Sequence, residues 1–291
     1  MSIISASRRT DIPAFYGEWF LNRLKEGFAL YYNPFNYSQV KKVSLKPEDV
    51  DAFVFWSKNF KPFLKILKLI DKKYNFVMHY TITALPKIFE PNIPDKNEMI
   101  EVFQILANNF GNEKIFWRFD PIIISNITSE NFIIENFEYI AEKLKGFTKR
   151  CYVNFVNLYD KVVKNFESQK IFIKKEFSED VALKIFQISK KYDIQILSCS
   201  NKELTKYNIQ FGSCVDAPYI FKIFNIKKEL PKLNPTRVDC HCYDSRDIGS
   251  YNTCPHLCLY CYANTNKERI KKFYIDYLNN FKFQKSPSLF W

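Results

Sequence analysis

Glycine is scarce in this chain. Six glycines stand among 291 residues, at positions 17, 27, 111, 146, 212 and 249, where an average soluble chain carries roughly 7%. Neighbouring glycines are at least ten residues apart. Neither G-x-G-x-x-G nor G-x-x-x-x-G-K can therefore occur, which excludes the glycine-rich cradles of nucleotide phosphates. Long apolar runs are missing too, and nothing approaches the roughly 18 residues of a membrane span. The start, Met1-Ser2-Ile3-Ile4, lacks the charged n-region of a signal peptide. A cytoplasmic location is expected, with no membrane partner.

What is present is ordinary in bulk. Apolar residues make up 47% of the chain and charged residues 25%, which excludes disordered and fibrous classes. The length is enough to bury a full core without disulfides. The net charge of +12, from 43 basic and 31 acidic residues, would suit a polyanion such as nucleic acid. The lysines are scattered singly or in pairs, however, among abundant Asn, Ile, Phe and Tyr. A solvated surface accounts for them, and nucleic acid stays open as a partner.

Short β-rich runs alternate with helical patterns as far as residue 200, the signature of an α/β fold with a parallel sheet. The runs are Ile3 to Ser7, Ala52 to Ser57, Phe76 to Thr83, Ile115 to Phe119, Tyr152 to Asn157 and Ile194 to Cys199. Between them, apolar residues recur at helical spacing, as in Tyr16, Phe20 and Leu24 or Met99, Phe103, Leu106 and Phe110. Asp11, Asp95, Ser129 and Ser178 stand where helix N-caps belong, and Gly146 where a helix should stop. A hairpin of Phe28 to Tyr32 with Val40 to Leu45 is expected in the first crossover. Three regions follow: a β/α body over 1–200, a connector with short helices over 201–239, and a cysteine-rich segment with its tail over 240–291.

Charged and polar residues crowd the ends of the predicted strands, where α/β folds carry their ligands. They include Arg8, Arg9 and Asp11, then Lys58 and Asn59, then Arg118 and Asp120.

Five of the eight cysteines fall between 240 and 261, a pattern that in a reducing compartment points to metal ligation. Cys254, Cys258 and Cys261 form C-x3-C-x2-C, which can wrap three irons of a [4Fe–4S] cube and leave the fourth open. Structural zinc on four cysteines, with or without His241 or His256, is the competing reading. A third has Cys240 or Cys242 closing the cube, which would give an electron carrier. Cys199, Cys214, Cys240 and Cys242 together supply the four thiolates of a second closed cluster or a zinc ion. Cys151, entering a strand, reads as a core thiol.

Several motifs carry a family resemblance: Ser5-Ala6-Ser7-Arg8-Arg9-Thr10-Asp11-Ile12-Pro13, Asn33-Pro34-Phe35-Asn36, Phe55-Trp56-Ser57-Lys58-Asn59, Trp117-Arg118-Phe119-Asp120-Pro121, and Asp247 through Asn264. The chain resembles the prokaryotic domain-of-unknown-function family 1848 nearly end to end. Its terminal cysteines are similar to the cluster loop of radical S-adenosylmethionine enzymes. That similarity implies a partial (β/α)6 TIM-like barrel and an open iron that chelates S-adenosylmethionine. It also implies an electron donor and a 5′-deoxyadenosyl radical acting on an unknown substrate, with the cofactor carrying the chemistry. Only 30 residues follow Cys261, so the barrel must precede the loop. No two glycines are adjacent, so the superfamily's Gly-Gly-Glu contact to the cofactor is missing. Arg8, Arg9, Asp11, Lys58, Asn59, Arg118 and Asp120 are the expected replacements, because guanidinium suits a carboxylate and carboxylate suits ammonium or hydroxyls. A non-catalytic electron-transfer protein and a zinc-stabilised nucleic-acid-binding module are the alternatives.

Overall fold

The computed structural model describes residues 2–33, 35–174, 177–237 and 239–289. Met1 and Pro34, from two of the motifs above, lie outside the described residues. Among the described residues ten strands are present: β1 (Ser2–Ala6), β2 (Phe28–Asn33), β3 (Asn36–Ser44), β4 (Val50–Ser57), β5 (Phe76–Thr81), β6 (Ile115–Ile122), β7 (Arg150–Phe155), β8 (Gln195–Ser198), β9 (Gln210–Phe211) and β10 (Arg246–Asp247). The helices longer than one turn are α2 (Gly17–Glu26), α3 (Leu64–Ile70), α4 (Lys96–Phe110), α5 (Glu130–Leu144), α6 (Asp160–Ser168), α7 (Glu179–Lys191), α8 (Ala217–Ile223) and α9 (Lys267–Asn279). Single-turn helices α1 (Ile12–Phe15) and α10 (Phe281–Gln284) and 3-10 helices at Pro47–Asp49, Lys61–Phe63 and Lys202–Tyr207 complete the set among the described residues.

Eight strands form one parallel sheet in the order β10-β1-β4-β5-β6-β7-β8-β9. All six expected strands lie in its middle, in chain order. The sheet is open, with the two-residue strands β10 and β9 at its edges. The expected hairpin is β2 paired antiparallel with β3, outside the main sheet.

Side chains alternate across a strand, and here both faces are covered, so the strands read as near-continuous apolar runs. On one face Ile4, Phe53, Phe55, Met78, Trp117 and Val153 pack on the helices in the largest core cluster. Phe20 of α2 shows how: its ring lies 5.3 Å from that of Phe53 and 5.5 Å from that of Phe55. On the other face Ile3, Val54, Val77, Phe116, Tyr152 and Leu197 are covered by Ala217, Ile220 and Phe221 of α8 together with Cys214, Cys240 and Cys242. The segment after residue 200 thus closes over the sheet face that the helices leave free.

All four expected N-caps cap. Asp11, Asp95, Ser129 and Ser178 accept hydrogen bonds from the backbone N–H groups of Ala14, Asn97, Phe132 and Val181, each worth about 1 kcal/mol. Gly146 follows Lys145, the C-cap of α5, with φ +83, a left-handed stop that an L side chain resists. The tail docks on α2: Trp19 Nε1 donates to the Ser286 carbonyl at 2.9 Å and Tyr277 packs 4.8 Å from Tyr16. Among the described residues no helix is long and apolar enough to cross a membrane.

Candidate functional site

Cys254, Cys258 and Cys261 sit in a loop without regular structure between β10 and α9. With so few glycines and no strand of its own, the loop is held by side chains from the body. Tyr16 donates its hydroxyl to the Thr253 carbonyl. Leu259 N–H bonds to the Phe89 carbonyl and Asn165 to the Leu259 carbonyl, each at 2.9 Å. Lys161 reaches the carbonyls of Tyr262 and Asn264 at 2.6 Å, and Asn264 donates to the Cys254 carbonyl at 2.8 Å. His256 is clamped by both ring nitrogens, Nε2 to Asp11 at 2.8 Å and Nδ1 to the Asn92 carbonyl at 3.2 Å. His256 is therefore spoken for, and His241 lies exposed against Phe211.

The strand ends supply a buried ionic layer beneath this loop. Asp11, after β1, caps α1, accepts the Lys58 N–H at 2.8 Å and holds His256. Lys58, after β4, pairs with Glu90 at 2.7 Å, with the two side chains 13% and 4% exposed. Glu90 also accepts from Thr83 Oγ1 at 3.0 Å and from the Tyr260 hydroxyl. Burial pushes the thiols of Cys254, Cys258 and Cys261 up; nearby charge matters next at Cys254 and Cys258, and the Ala263 N–H partly offsets the effect at Cys261. Asp11 and the other two thiols raise Cys254 further, while Lys58 partly offsets the effect at Cys258. Without a cation these thiols stay protonated; a bound metal would ionise them.

Asp247 ties β10 and the loop to β1. Its carboxylate accepts from Ser5 Oγ (3.0 Å), Ser7 Oγ (2.7 Å), Arg8 N–H (2.9 Å) and Gly249 N–H (2.9 Å). A Cβ on residue 249 would sit 2.0 Å from Ser7 Oγ, so only glycine allows this approach. Arg8 bonds Ser245 at 3.1 Å and lies 5.7 Å from the Trp56 ring. Three buried polar atoms on these same segments have no partner: Arg8 Nε, Thr10 Oγ1 and Asn264 Oδ1. Native folds rarely leave such groups unpaired.

The second group of thiols lies on the α8-covered face of the sheet. Cys199, at the end of β8, is in side-chain hydrogen-bond contact with Cys214, Cys214 with Cys242, and Cys242 with Cys240. All four are buried. Donors surround them: Arg118 to Cys214 at 3.2 Å, Asn154 to Cys199 at 3.4 Å and Arg237 to Cys199 at 3.5 Å. The string ends at Cys240, whose thiol is lowered to about 5, first by the hydrogen bond from Cys242. Arg118 also pairs with Asp120 and lies 5.6 Å from the Trp56 ring. His79 stacks on Trp56 at 4.3 Å and donates from Nε2 to the Cys214 carbonyl at 2.8 Å. That leaves Nδ1 to accept from Arg118 at 3.5 Å.

The expected site residues thus divide. Asp11, Lys58 and Arg8 meet the C-terminal loop, whereas Arg118 and Asp120 belong with the inner-face thiols. Arg9 lies to one side, bonded to Tyr31 at 3.1 Å and stacked between Tyr31 and Tyr251. Asn59 serves a local turn, accepting from Lys61 N–H at 3.1 Å. Glu90, Asp247, His79, Asn154 and Arg237 were not anticipated. Asp247 lay inside a quoted motif, and the others had no local signal. A cavity of about 320 Å³ lined by Ser2, Asp51, Phe221, Lys228 and Asp244 opens where the strands begin, at the opposite edge from the loop. Among the described residues no three His, Cys, Asp or Glu side chains converge to hold a single metal ion. The loop offers three thiols with no carboxylate between them, a soft donor set.

No curated protein and no solved structure matches the chain. A family model described as domain of unknown function (DUF1848) matches residues 3–263, and the chain belongs to that family.

Proposed function

We propose that this is an iron–sulfur enzyme of the radical S-adenosylmethionine type, with a [4Fe–4S] cluster on Cys254, Cys258 and Cys261. The observation that carries this reading is the conjunction of three loop thiols with the unpartnered Arg8 Nε, Thr10 Oγ1 and Asn264 Oδ1 on the loop and on the segment after β1 that meets it. Two donors and an acceptor left over at that place suit the carboxylate, amino and hydroxyl groups of a polar cofactor. The cluster, when bound, would supply an open iron and one electron.

The chain's own residues have the supporting work. Asp11 and His256 fix the entry of the loop, and Glu90 with Lys58 and Tyr260 fixes its middle. Engagement of Cys240 and Cys242 with Cys214 on the inner face favours an iron without a fourth protein ligand over a closed electron carrier. Six strands in chain order, with helices on one face, support a partial (β/α)6 barrel. An electron donor as partner and a reducing, cytoplasmic setting complete the proposal, consistent with eight free cysteines. The substrate class stays open.

Anaerobic reconstitution tests it. The wild-type chain should turn brown, and replacing Cys254, Cys258 and Cys261 together with Ala should remove about four irons per chain. Arg8→Ala should weaken S-adenosylmethionine binding by roughly 1.5–3 kcal/mol. Iron content unchanged in the triple variant would sink the cluster assignment.

A further inference from the structure

The inner-face thiols have no part in that reading, and their surroundings are odd for four neutral thiols. Guanidinium only donates hydrogen bonds, and a protonated thiol is a weak acceptor. Yet two arginines and an asparagine donate to Cys199 and Cys214, and Thr236 Oγ1 lies 3.7 Å from Cys240. Arg118 is 7% exposed. Placing this much donor capacity against sulfur makes sense if the sulfurs are thiolates, because N–H donors to ligating sulfur orient and tune metal sites.

We propose that Cys199, Cys214, Cys240 and Cys242 bind one thiophilic divalent ion, zinc in the first instance, as a tetrahedral four-thiolate site. A divalent ion on four thiolates carries two negative charges, and the guanidinium of Arg237, with that of Arg118 shared with Asp120, supplies positive charge against them. The backbone is already in place. Gly212 N–H bonds to the Ser198 carbonyl at 2.8 Å, which sets Cys214 beside Cys199. Tyr243 N–H bonds to the Val215 carbonyl at 3.1 Å, which sets Cys242 beside Cys214. The sulfurs run in a string and do not yet surround one point, so metal entry requires the cysteine side chains to turn about Cα–Cβ with the backbone held. Ionising four thiols on binding releases their protons to solvent. The site would pin the segment after β8 and the C-x-C segment to the sheet, a structural role independent of the loop cluster.

The experiment titrates the metal-free, reduced full chain with Co(II) and then Zn(II), in the absence of oxygen. The probe background is the Cys254→Ala/Cys258→Ala/Cys261→Ala variant, which silences the loop. One equivalent of Co(II) should give the intense visible bands of tetrahedral cobalt with thiolate-to-metal charge transfer, and Zn(II) should bleach them. Cys214→Ser or Cys242→Ser in that background should abolish the charge transfer. Because these thiols are buried and such variants could misfold, Arg237→Gln gives the second arm: it keeps all four ligands and should bind zinc about 10-fold more weakly. A pale octahedral cobalt spectrum in the triple variant, or zinc affinity indifferent to Arg237→Gln, would overturn the proposal. So would Cys199–Cys214 or Cys214–Cys242 disulfides that form on later exposure to air as fast with zinc as without it.

Discussion

The two thiol groups differ in how the chain assembles them. The loop trio comes from eight consecutive residues, partly exposed, resting on a layer that contains the carboxylates of Asp11 and Glu90. The inner-face four come from three separate segments, are buried, and face Arg118, Arg237 and Asn154. The loop thiols are pushed up first by burial; of the inner-face four, Cys199, Cys214 and Cys242 are pushed up as well, and Cys240 is pulled down to about 5, first by the hydrogen bond from Cys242. The same side chain is thus prepared in two ways: the loop leaves ionisation to an incoming cation, while the inner face favours the thiolate in advance at Cys240, the end of its string.

The sharpest way to break this contrast is to remove the layer under the loop. Glu90→Ala strands Lys58 and leaves Thr83 and Tyr260 without their acceptor in a buried place. Breaking a buried pair of this kind costs about 3–5 kcal/mol. Urea unfolding should register that loss. The exposed pair Lys191–Glu138, with side chains 61% and 40% exposed, gives the control: Glu138→Ala should cost under about 1 kcal/mol. Equal effects in the two variants would mean that the ionic layer does not anchor the loop.

A middle-sized effect sharpens the chemical half of the comparison. In metal-free protein at pH 7 Cys240 is ionised, whereas burial first and then Asp11 and the neighbouring thiols keep Cys254 protonated. The thiolate is the nucleophile. Lower intrinsic reactivity of an acidic thiol takes back part of the advantage, and the rest should label Cys240 with iodoacetamide at least about 10-fold faster than Cys254. Exposure argues the other way, since Cys240 is buried and Cys254 is partly exposed. Peptide mass mapping at short times decides between ionisation and access.

How much of this the sequence reveals follows from range. Strands β1, β4, β5, β6, β7 and β8 are legible because both faces are buried and the runs are apolar and bounded. Strands β9 and β10 are two residues long, below any periodic signal, and their pairing depends on tertiary context. The cysteine loop is legible because its ligands are close in sequence. Glu90 is not: it sits in the long connection between β5 and α4, and only the fold brings it to Lys58, 32 residues away. Arg118 was singled out for the right reason, a charge at a strand position, but its strand points it to the inner face. There it meets Cys214, 96 residues on.

The smallest expected effect is a pH slope, and it belongs to the inner face alone. His79 is fully buried and its pKa is lowered well below the usual value, first by burial and then by the charges of Arg118, Arg8 and Arg150. Its neutral form donates to the Cys214 carbonyl and stacks on Trp56. In the unfolded chain the ring protonates near pH 6.5, while in the folded chain it stays neutral. The unfolded state therefore binds the extra proton as pH falls, and stability is lost below about pH 6.5 by up to about 1.4 kcal/mol per pH unit. Above that pH the contribution is complete and flat. His79→Gln keeps an amide donor for the Cys214 carbonyl but cannot titrate, so its stability should fall less steeply between pH 6.5 and 5, as read by urea unfolding at several pH values. Parallel slopes for the two proteins would show that His79 titrates alike in both states and that the arginines do not bear on it.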